Sequence, residues 1–409
     1  MNIVLEPGAA ALLDELHRAG FGAYAVGGCV RDSLLGLAPH DWDLCTAARP
    51  GQVMELFGED RCIPTGLQHG TVTVKRDGKL YEVTTFRTEG RYSDGRHPDS
   101  VAFVPDLRED LARRDFTINA MAYSAEEGLC DPFGGREDLA RGVVRAVGEP
   151  LRRFGEDALR ILRLYRFAAR FGFAIDEATE AAAKQLASHL DCVSAERIEE
   201  ELNKLLAAPQ PGAYLEPEVL AFVLPELPPE ELTKARRRID ALPAGTEQVS
   251  ARWAALLLPL GETGARKALK RLKCSNARID GAAALVRECG EKTPDTLDKC
   301  DLRLQAKRLL GKYDLHTVQQ LTALWTALAP EEKASFDALR AEAEALTAQG
   351  TCCRISQLAV NGRDLMAAGA APGPGLRRVL EALLEEVVTG RLPNEKTELL
   401  AFAARFSAS

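Results

Sequence analysis

The hydrophobic periodicity of this chain changes once, near Arg152, and that change limits its fold more than any other feature. Upstream, short alternating runs are separated by glycine-containing turns, the pattern of strands interleaved with short helices. "GAYAVGG" predicts a strand running into a turn, "VRDSLLG" a short helix stopped at Gly36, "HDWDLCT" a strand and "RPGQVMELFG" a helix. "TVTVKRDGKLYEVTTFR" predicts a hairpin turning at Asp77-Gly78. "RTEGRYSDGRHPDSVAFV" is polar and charged and predicts a mobile loop. Downstream, stretches such as "EDALRILRLYRFAARFGF", "SAERIEEELNKLL" and "GLRRVLEALLEEVVTG" carry helical periods to the C-terminus. The chain therefore reads as an α/β head, a mixed sheet with flanking helices, followed by an all-α remainder. Proline clusters at 209–211 and 225–229 predict breaks between helical blocks.

With 409 residues, 46% of them hydrophobic, the chain can bury a large core and suggests two or more domains. No apolar run approaches the ~20 residues of a membrane span. The first residues, "MNIVLEPGAAALLDELHRAG", lack a basic segment followed by an apolar core, so no signal peptide and a cytoplasmic location are expected. The ten cysteines form no CxxC pair, and Cys352 and Cys353 are adjacent, which predicts reduced thiols. A net charge of −8 argues against a uniformly basic nucleic-acid-binding protein but leaves room for a local basic track.

Gly27-Gly28 and Asp41-x-Asp43 carry the first chemical signal. Residues two apart on a strand share a face, so the two carboxylates can hold Mg²⁺ while leaving room for water and phosphate. Two such ions can activate an attacking hydroxyl and stabilise a leaving pyrophosphate. A solvated strand end is the alternative. Glycine lets a backbone approach a phosphate closely, and Arg31 in the following turn can add a charge-assisted contact. No GK[ST] follows, so this is not a Walker loop, and Asp32 can simply pair locally. Glu82 is a candidate third acid, or a solvated hairpin residue. His40-Asp41 resembles a phosphohydrolase doublet, but the chain has only six histidines and no second suggestive pair.

Arg113-Arg114 can grip a triphosphate bidentately, or form a surface pair neutralised by Asp110 and Asp115. Asp157, Arg160 and Arg163 are spaced by three along a predicted helix and wind as a polar stripe that Arg166 continues. An ordinary amphipathic helix with an Asp–Arg pair is the plain alternative. The sharper reading is recognition of a base. A carboxylate accepts from the exocyclic amine of cytosine or adenine, and an arginine donates to the adjacent ring acceptor. Uracil and guanine present the opposite pattern, so Asp157 with Arg160 would admit C and A and reject U and G.

The segments "VGGCVRDSLLG…HDWDLCTAA", "YEVTTFRTEGRYSDGRHPDSVAFV", "RRDFTINAMAY", "DPFGGREDLARGVVRAVGEP…RFGEDALRILRLYRFAARFGF" and "AERIEEELNKLL" occur in that order. Together they resemble the bacterial class II tRNA nucleotidyltransferase and poly(A) polymerase family, over roughly the first half of the chain. The resemblance implies a nucleotidyltransferase head at 1–145, neck helices for nucleotide recognition at 146–208, a body at 209–300 and a tRNA-binding tail at 301–409. It implies that Asp41 and Asp43 bind catalytic Mg²⁺, and that Gly28, Arg31 and Arg114 hold the nucleotide. It further implies that Asp157 and Arg160 read the base, with Arg163 and Arg166 supporting the nucleotide site. "VNGRDLMAAGAAPGPGLRRVLEALLEEVVTGRLPNEKTELL" is similar to the C-terminal segment of CCA-adding members.

The expected activity is template-independent addition of CCA to the tRNA 3′ end from CTP and ATP, with tRNA as partner. By the same resemblance, the intact loop around Arg91 to Pro98 implies full CCA addition over CC addition alone. CC- or A-adding specialists, a poly(A) polymerase and an inactive RNA-binding scaffold are the other readings. Nothing in the sequence fixes an oligomeric state.

Overall fold

A computed structural model of the chain describes residues 3–90, 101–291 and 301–406. The chain divides into two compact units, Met1–Pro229 with Arg271–Lys273, and Glu230–Lys270 with Cys274–Ser409.

The head of the first unit is a seven-stranded mixed sheet. In chain order its first five strands are β1 (Ala23–Val26), β2 (Leu44–Thr46), β3 (Cys62–Gly66), β4 (Thr71–Arg76) and β5 (Lys79–Thr85). Then come β6 (Arg87–Glu89), β7 (Val101–Phe103), β8 (Ala122–Ser124) and β9 (Gly128–Cys130). The sheet order is β3-β4-β5-β2-β1-β8-β9, with β6 and β7 paired separately. Neighbours are antiparallel except β2 and β5, which run parallel with Leu44 opposite Val83. Asp77 (φ 49) and Gly78 (φ 76) turn the β4–β5 hairpin with two left-handed residues, the geometry that the Asp-Gly pair predicts.

Helix Pro7–Arg18 packs on β1 and β2, and helix Pro50–Phe57 on β4 and β5. Tyr24 and Val26 of β1 and Cys45 of β2 form a buried cluster with Leu107 and Leu111 of the Leu107–Ala112 helix. Arg113 and Arg114 follow directly from the end of that helix.

Helices Pro150–Glu156, Leu159–Phe171, Glu177–Gln185 and Ala195–Leu206 follow. The remainder expected to be all helical carries one exception. Val143–Val144 (β10) pairs in parallel with Ala174–Ile175 (β11), and so returns the chain beyond Phe171 to the end of the head. Among the described residues of the second unit, helices run from Pro229–Asp240 to Lys396–Phe406, and Leu365, Val379, Leu383 and Leu399 form the buried centre of its last part. Among the described residues no helix is long and apolar enough to cross a membrane, and the nine cysteines are all free. Residues Arg91 to Pro98, read above as a loop favouring full CCA addition, lie outside the described residues.

Candidate active site

Asp41 and Asp43 precede a strand instead of lying within it, because regular pairing in β2 begins only at Leu44. The pleat nevertheless continues. The Val26 N–H donates to the Asp43 carbonyl at 2.9 Å, Trp42 is buried at 8% exposure, and Asp41 and Asp43 on either side of it are exposed. The two carboxylates thus share a face for the reason the sequence suggested.

The parallel register of Leu44 with Val83, continued by one residue, sets Asp43 against exposed Glu82. By area Asp43 reaches solvent, yet protein packed around its carboxyl costs it solvation. That desolvation, and then the Glu82 charge, raise Asp43 above the ordinary carboxylate value; Asp41 adds to the rise and Arg114 opposes it. A divalent cation would relieve the same repulsion, so the donors present suit a hard ion bound through oxygen. Among the described residues no three His, Cys, Asp or Glu side chains converge as a ready cage, which leaves Asp41 and Asp43 as an open pair and gives the His40-Asp41 doublet no partners.

The glycine turn lies beside this pair. Gly27 has φ 77 and ψ −123, and its N–H donates to the Met121 carbonyl at 3.1 Å. A side chain there would be doubly excluded, by the positive φ and because its Cβ would stand 2.9 Å from Arg114 Nη1. Gly28 opens a seven-residue helix, Gly28–Leu34. Arg114 therefore reaches both the turn and, through its charge, Asp43. Asp110, fully buried, anchors Arg114 at 3.4 Å and Arg113 at 2.9 Å, while Arg114 Nε is buried with no hydrogen-bond partner.

Arg31 takes a different place from the open phosphate contact suggested by its position in the turn. It is 4% exposed, donates from Nε to Asp32 at 2.8 Å and from Nη1 to Asn119 at 2.5 Å, and lies 4.9 Å from the Phe171 ring centroid. Asp32 pairs locally with Arg31 and, across the fold, with Arg170 at 3.2 Å.

The neck stripe is also built differently from a continuous helix. Helix Leu159–Phe171 begins after Asp157, which is extended at φ −144 and ψ 104. Asp157 Oδ1 accepts from the Leu159 N–H at 3.1 Å, and its Oδ2 accepts from Arg197 Nη2 at 2.7 Å. Arg160, 9% exposed, donates to Glu156 at 2.9 Å and to the Arg153 and Arg113 carbonyls at 3.2 and 3.1 Å. Asp157 and Arg160 are thus engaged by different partners, and the plain alternative, an ion pair within one helix, is not what forms.

Arg163 chelates Asp115 with bonds of 2.9 and 2.6 Å. Burial works against ionised Asp115, but the Arg163 charge, with the Asn119 amide, holds its carboxyl far below the usual range. Asp115 therefore belongs to Arg163 and not to Arg113 or Arg114. Arg166 lies over Phe167 at 3.9 Å from the ring centroid, and its Nε pairs with Glu201 Oε2 at 2.5 Å. Sequence reasoning missed Asn119, Arg197 and Glu201, although all three lie inside the motifs it quoted.

The arginines of the neck close on one short segment of the head. Arg153 donates to the Ala112 carbonyl at 2.7 Å, Arg160 to that of Arg113, and Arg163 to Asp115. That segment carries Arg114, so the glycine turn, the acid pair and the neck form one connected site.

A family model described as "Poly A polymerase head domain" matches residues 23–145, "Probable RNA and SrmB- binding site of polymerase A" matches 172–228, and "tRNA nucleotidyltransferase domain 2 putative" matches 245–403. The CCA-adding enzyme of Limosilactobacillus fermentum is 38% identical over 397 residues, covering 96% of this chain and 95% of that protein. The CCA-adding enzyme of Latilactobacillus sakei subsp. sakei is 40% identical over 404 residues, with 96% of each chain covered. The crystal structure of the Bacillus stearothermophilus CCA-adding enzyme in complex with CTP matches at a TM-score of 0.80 and 34% identity, covering 99% of this chain and 98% of that one. The Thermotoga maritima CCA-adding enzyme complexed with tRNA shares the fold, at a TM-score of 0.70 and 22% identity.

Proposed function

We propose a function from one premise, that the chain belongs to the CCA-adding tRNA nucleotidyltransferases. The protein adds C, C and A to the 3′ end of tRNA from CTP and ATP, releasing pyrophosphate at each step. The single observation that carries the reading on geometry is the open pair Asp41 and Asp43 beside the Gly27 turn, with the Arg114 charge reaching both.

The tRNA 3′-hydroxyl oxygen forms a bond to the α-phosphorus, the bond from that phosphorus to the β-phosphate oxygen breaks, and the hydroxyl proton passes to solvent. A divalent ion, assigned here as Mg²⁺ because its donors are carboxylate oxygens, supplies Lewis-acid activation and charge neutralisation when bound. Asp41 and Asp43 are the residues that would hold it. Gly27 and Gly28 allow the triphosphate to approach the backbone, and Arg114 beside the turn offers its charge to the phosphates. Arg31 keeps the turn in place through Asn119.

Asp157 accepts from the exocyclic amine of C or A, and Arg160 donates to the ring acceptor beside it. Arg163 and Arg166 hold the neck helix against Asp115 and Glu201. The helical second unit is proposed to grip tRNA through phosphates and shape, and binding should weaken steeply as salt rises. The test gives the purified protein tRNA lacking its CCA end, with each nucleoside triphosphate alone and then with CTP and ATP together. Complete CCA addition is expected only with both; growth of a long A tail from ATP alone would overturn the reading.

A further inference from the structure

The Ala195–Leu206 helix touches the base-reading stripe at two points. Arg197 bonds Asp157 at 2.7 Å, and Glu201 contacts Arg163 at 3.8 Å and Arg166 at 2.5 Å. Residues four apart share one face of a helix, so a single face of this element meets both ends of the stripe. Glu201 is 4% exposed, and the side chains of Arg197 and Asp157 are only 21% and 15% exposed.

Asp157 needs such a support because its backbone gives it none. It belongs to neither flanking helix and lies extended between Pro150–Glu156 and Leu159–Phe171. With one oxygen on the Leu159 N–H and the other on Arg197, both ends of the carboxylate are fixed. Each carboxylate oxygen carries two acceptor sites, so fixing its plane still leaves a lone pair for an amine. A carboxylate free to rotate would meet amine and carbonyl edges with less contrast.

We propose that Arg197 is a specificity-determining positioning residue. It aims the Asp157 carboxylate at the exocyclic amine and so sharpens the preference for CTP and ATP over UTP and GTP, without touching the reacting atoms. The proposal rests on the reading of Asp157 as the base-reading acceptor.

The experiment measures kcat/KM for all four nucleoside triphosphates on tRNA lacking its CCA end. It compares the wild type, Arg197→Ala, Arg197→Gln, Arg197→Lys and Asp157→Ala, with thermal unfolding followed in parallel. Loss of one charge-assisted bond should lower the ratio of CTP to UTP use by roughly threefold to tenfold in Arg197→Ala. Arg197→Lys should recover most of that ratio and Arg197→Gln part of it; Arg197→Gln also carries the test if the alanine variant folds poorly. If all four values fall by one common factor in folded Arg197 variants, the residue is merely structural and the proposal fails. If Asp157→Ala relaxes selectivity while the Arg197 variants keep it, the positioning role alone is overturned. If Asp157→Ala leaves selectivity unchanged, the base-reading assignment falls and takes this proposal with it.

Discussion

The two acid sites of the first unit are built on opposite principles. Asp41 and Asp43 are exposed, neither carboxylate accepts a hydrogen bond among the described residues, and Asp43 is pushed toward its protonated form by desolvation and Glu82. Asp157 and Arg160 are the reverse, each tied to named partners and largely withdrawn from solvent. A site that receives a cation keeps its negative charge uncompensated, because the ion supplies the missing partner. A site that discriminates between base edges must have its donors and acceptors aimed beforehand, since a flexible group adapts to the wrong edge as readily as to the right one.

That contrast can be broken by substitution, and the acid pair should give the largest effect. Asp41→Ala or Asp43→Ala should lower nucleotide transfer by about a thousandfold or more. Thermal stability should not fall, because no bond is removed. Transfer kinetics beside an unfolding curve check both halves; a variant still turning over at the wild-type rate with Mg²⁺ would remove the metal assignment.

Arg114 stands between the two regimes, anchored at Asp110 yet with a buried Nε that lacks a partner. Arg114→Ala should reduce kcat/KM for CTP and ATP alike by about a hundredfold, the loss of a charged phosphate contact. Steady-state kinetics with both substrates separate this from a base-reading role, which would shift the two unequally against UTP and GTP.

Asp157→Ala should act on selectivity more than on chemistry. Discrimination of CTP from UTP should relax by roughly tenfold to a hundredfold, the worth of one base-edge contact. Unchanged ratios in an otherwise active variant would mean that Asp157 serves the fold alone.

The smallest effect sharpens the contrast through pH. The folded-state pKa of Asp43 is raised, so its contribution to stability is full below the ordinary carboxylate value and is lost as pH rises through the raised one. Asp43→Asn should therefore raise the Tm of the metal-free protein by roughly 1–2 °C at pH 7, a small gain because the site is open to solvent. The gain should vanish near pH 3. Added Mg²⁺ should stabilise the wild type and not the variant. A variant less stable than the wild type at neutral pH would show that the charge repulsion is not there.

The parts legible in the sequence are those set by local chemistry. Asp77-Gly78 adopts its turn because both residues accept positive φ, wherever the hairpin lies. The common face of Asp41 and Asp43 follows from alternation alone, even though the hydrogen-bonded strand starts one residue later. Asp157 misled for the same reason. "EDALRILRLYRF" has an unbroken helical period, and the chain nevertheless breaks at Asp157, whose carboxylate is held by Arg197 forty residues away. The partners of Arg31 were not legible, because a place beside two glycines says nothing about which way an arginine points. Its actual surroundings, Asn119, Phe167 and Phe171, come from distant parts of the chain.

The sequence by itself determined the division into an α/β head and a helical remainder, the paired acids, the glycine turn and the order of motifs that marks the family. Periodicity, turn chemistry and residue type act over a few residues and need no fold to be read. Only the tertiary structure decided which carboxylates these arginines meet: Asp32 for Arg31, Glu156 for Arg160, Asp115 for Arg163 and Glu201 for Arg166. A charged side chain is long and can reach several partners, and which partner wins depends on burial and distance across the fold. Neither quantity is written in the local sequence.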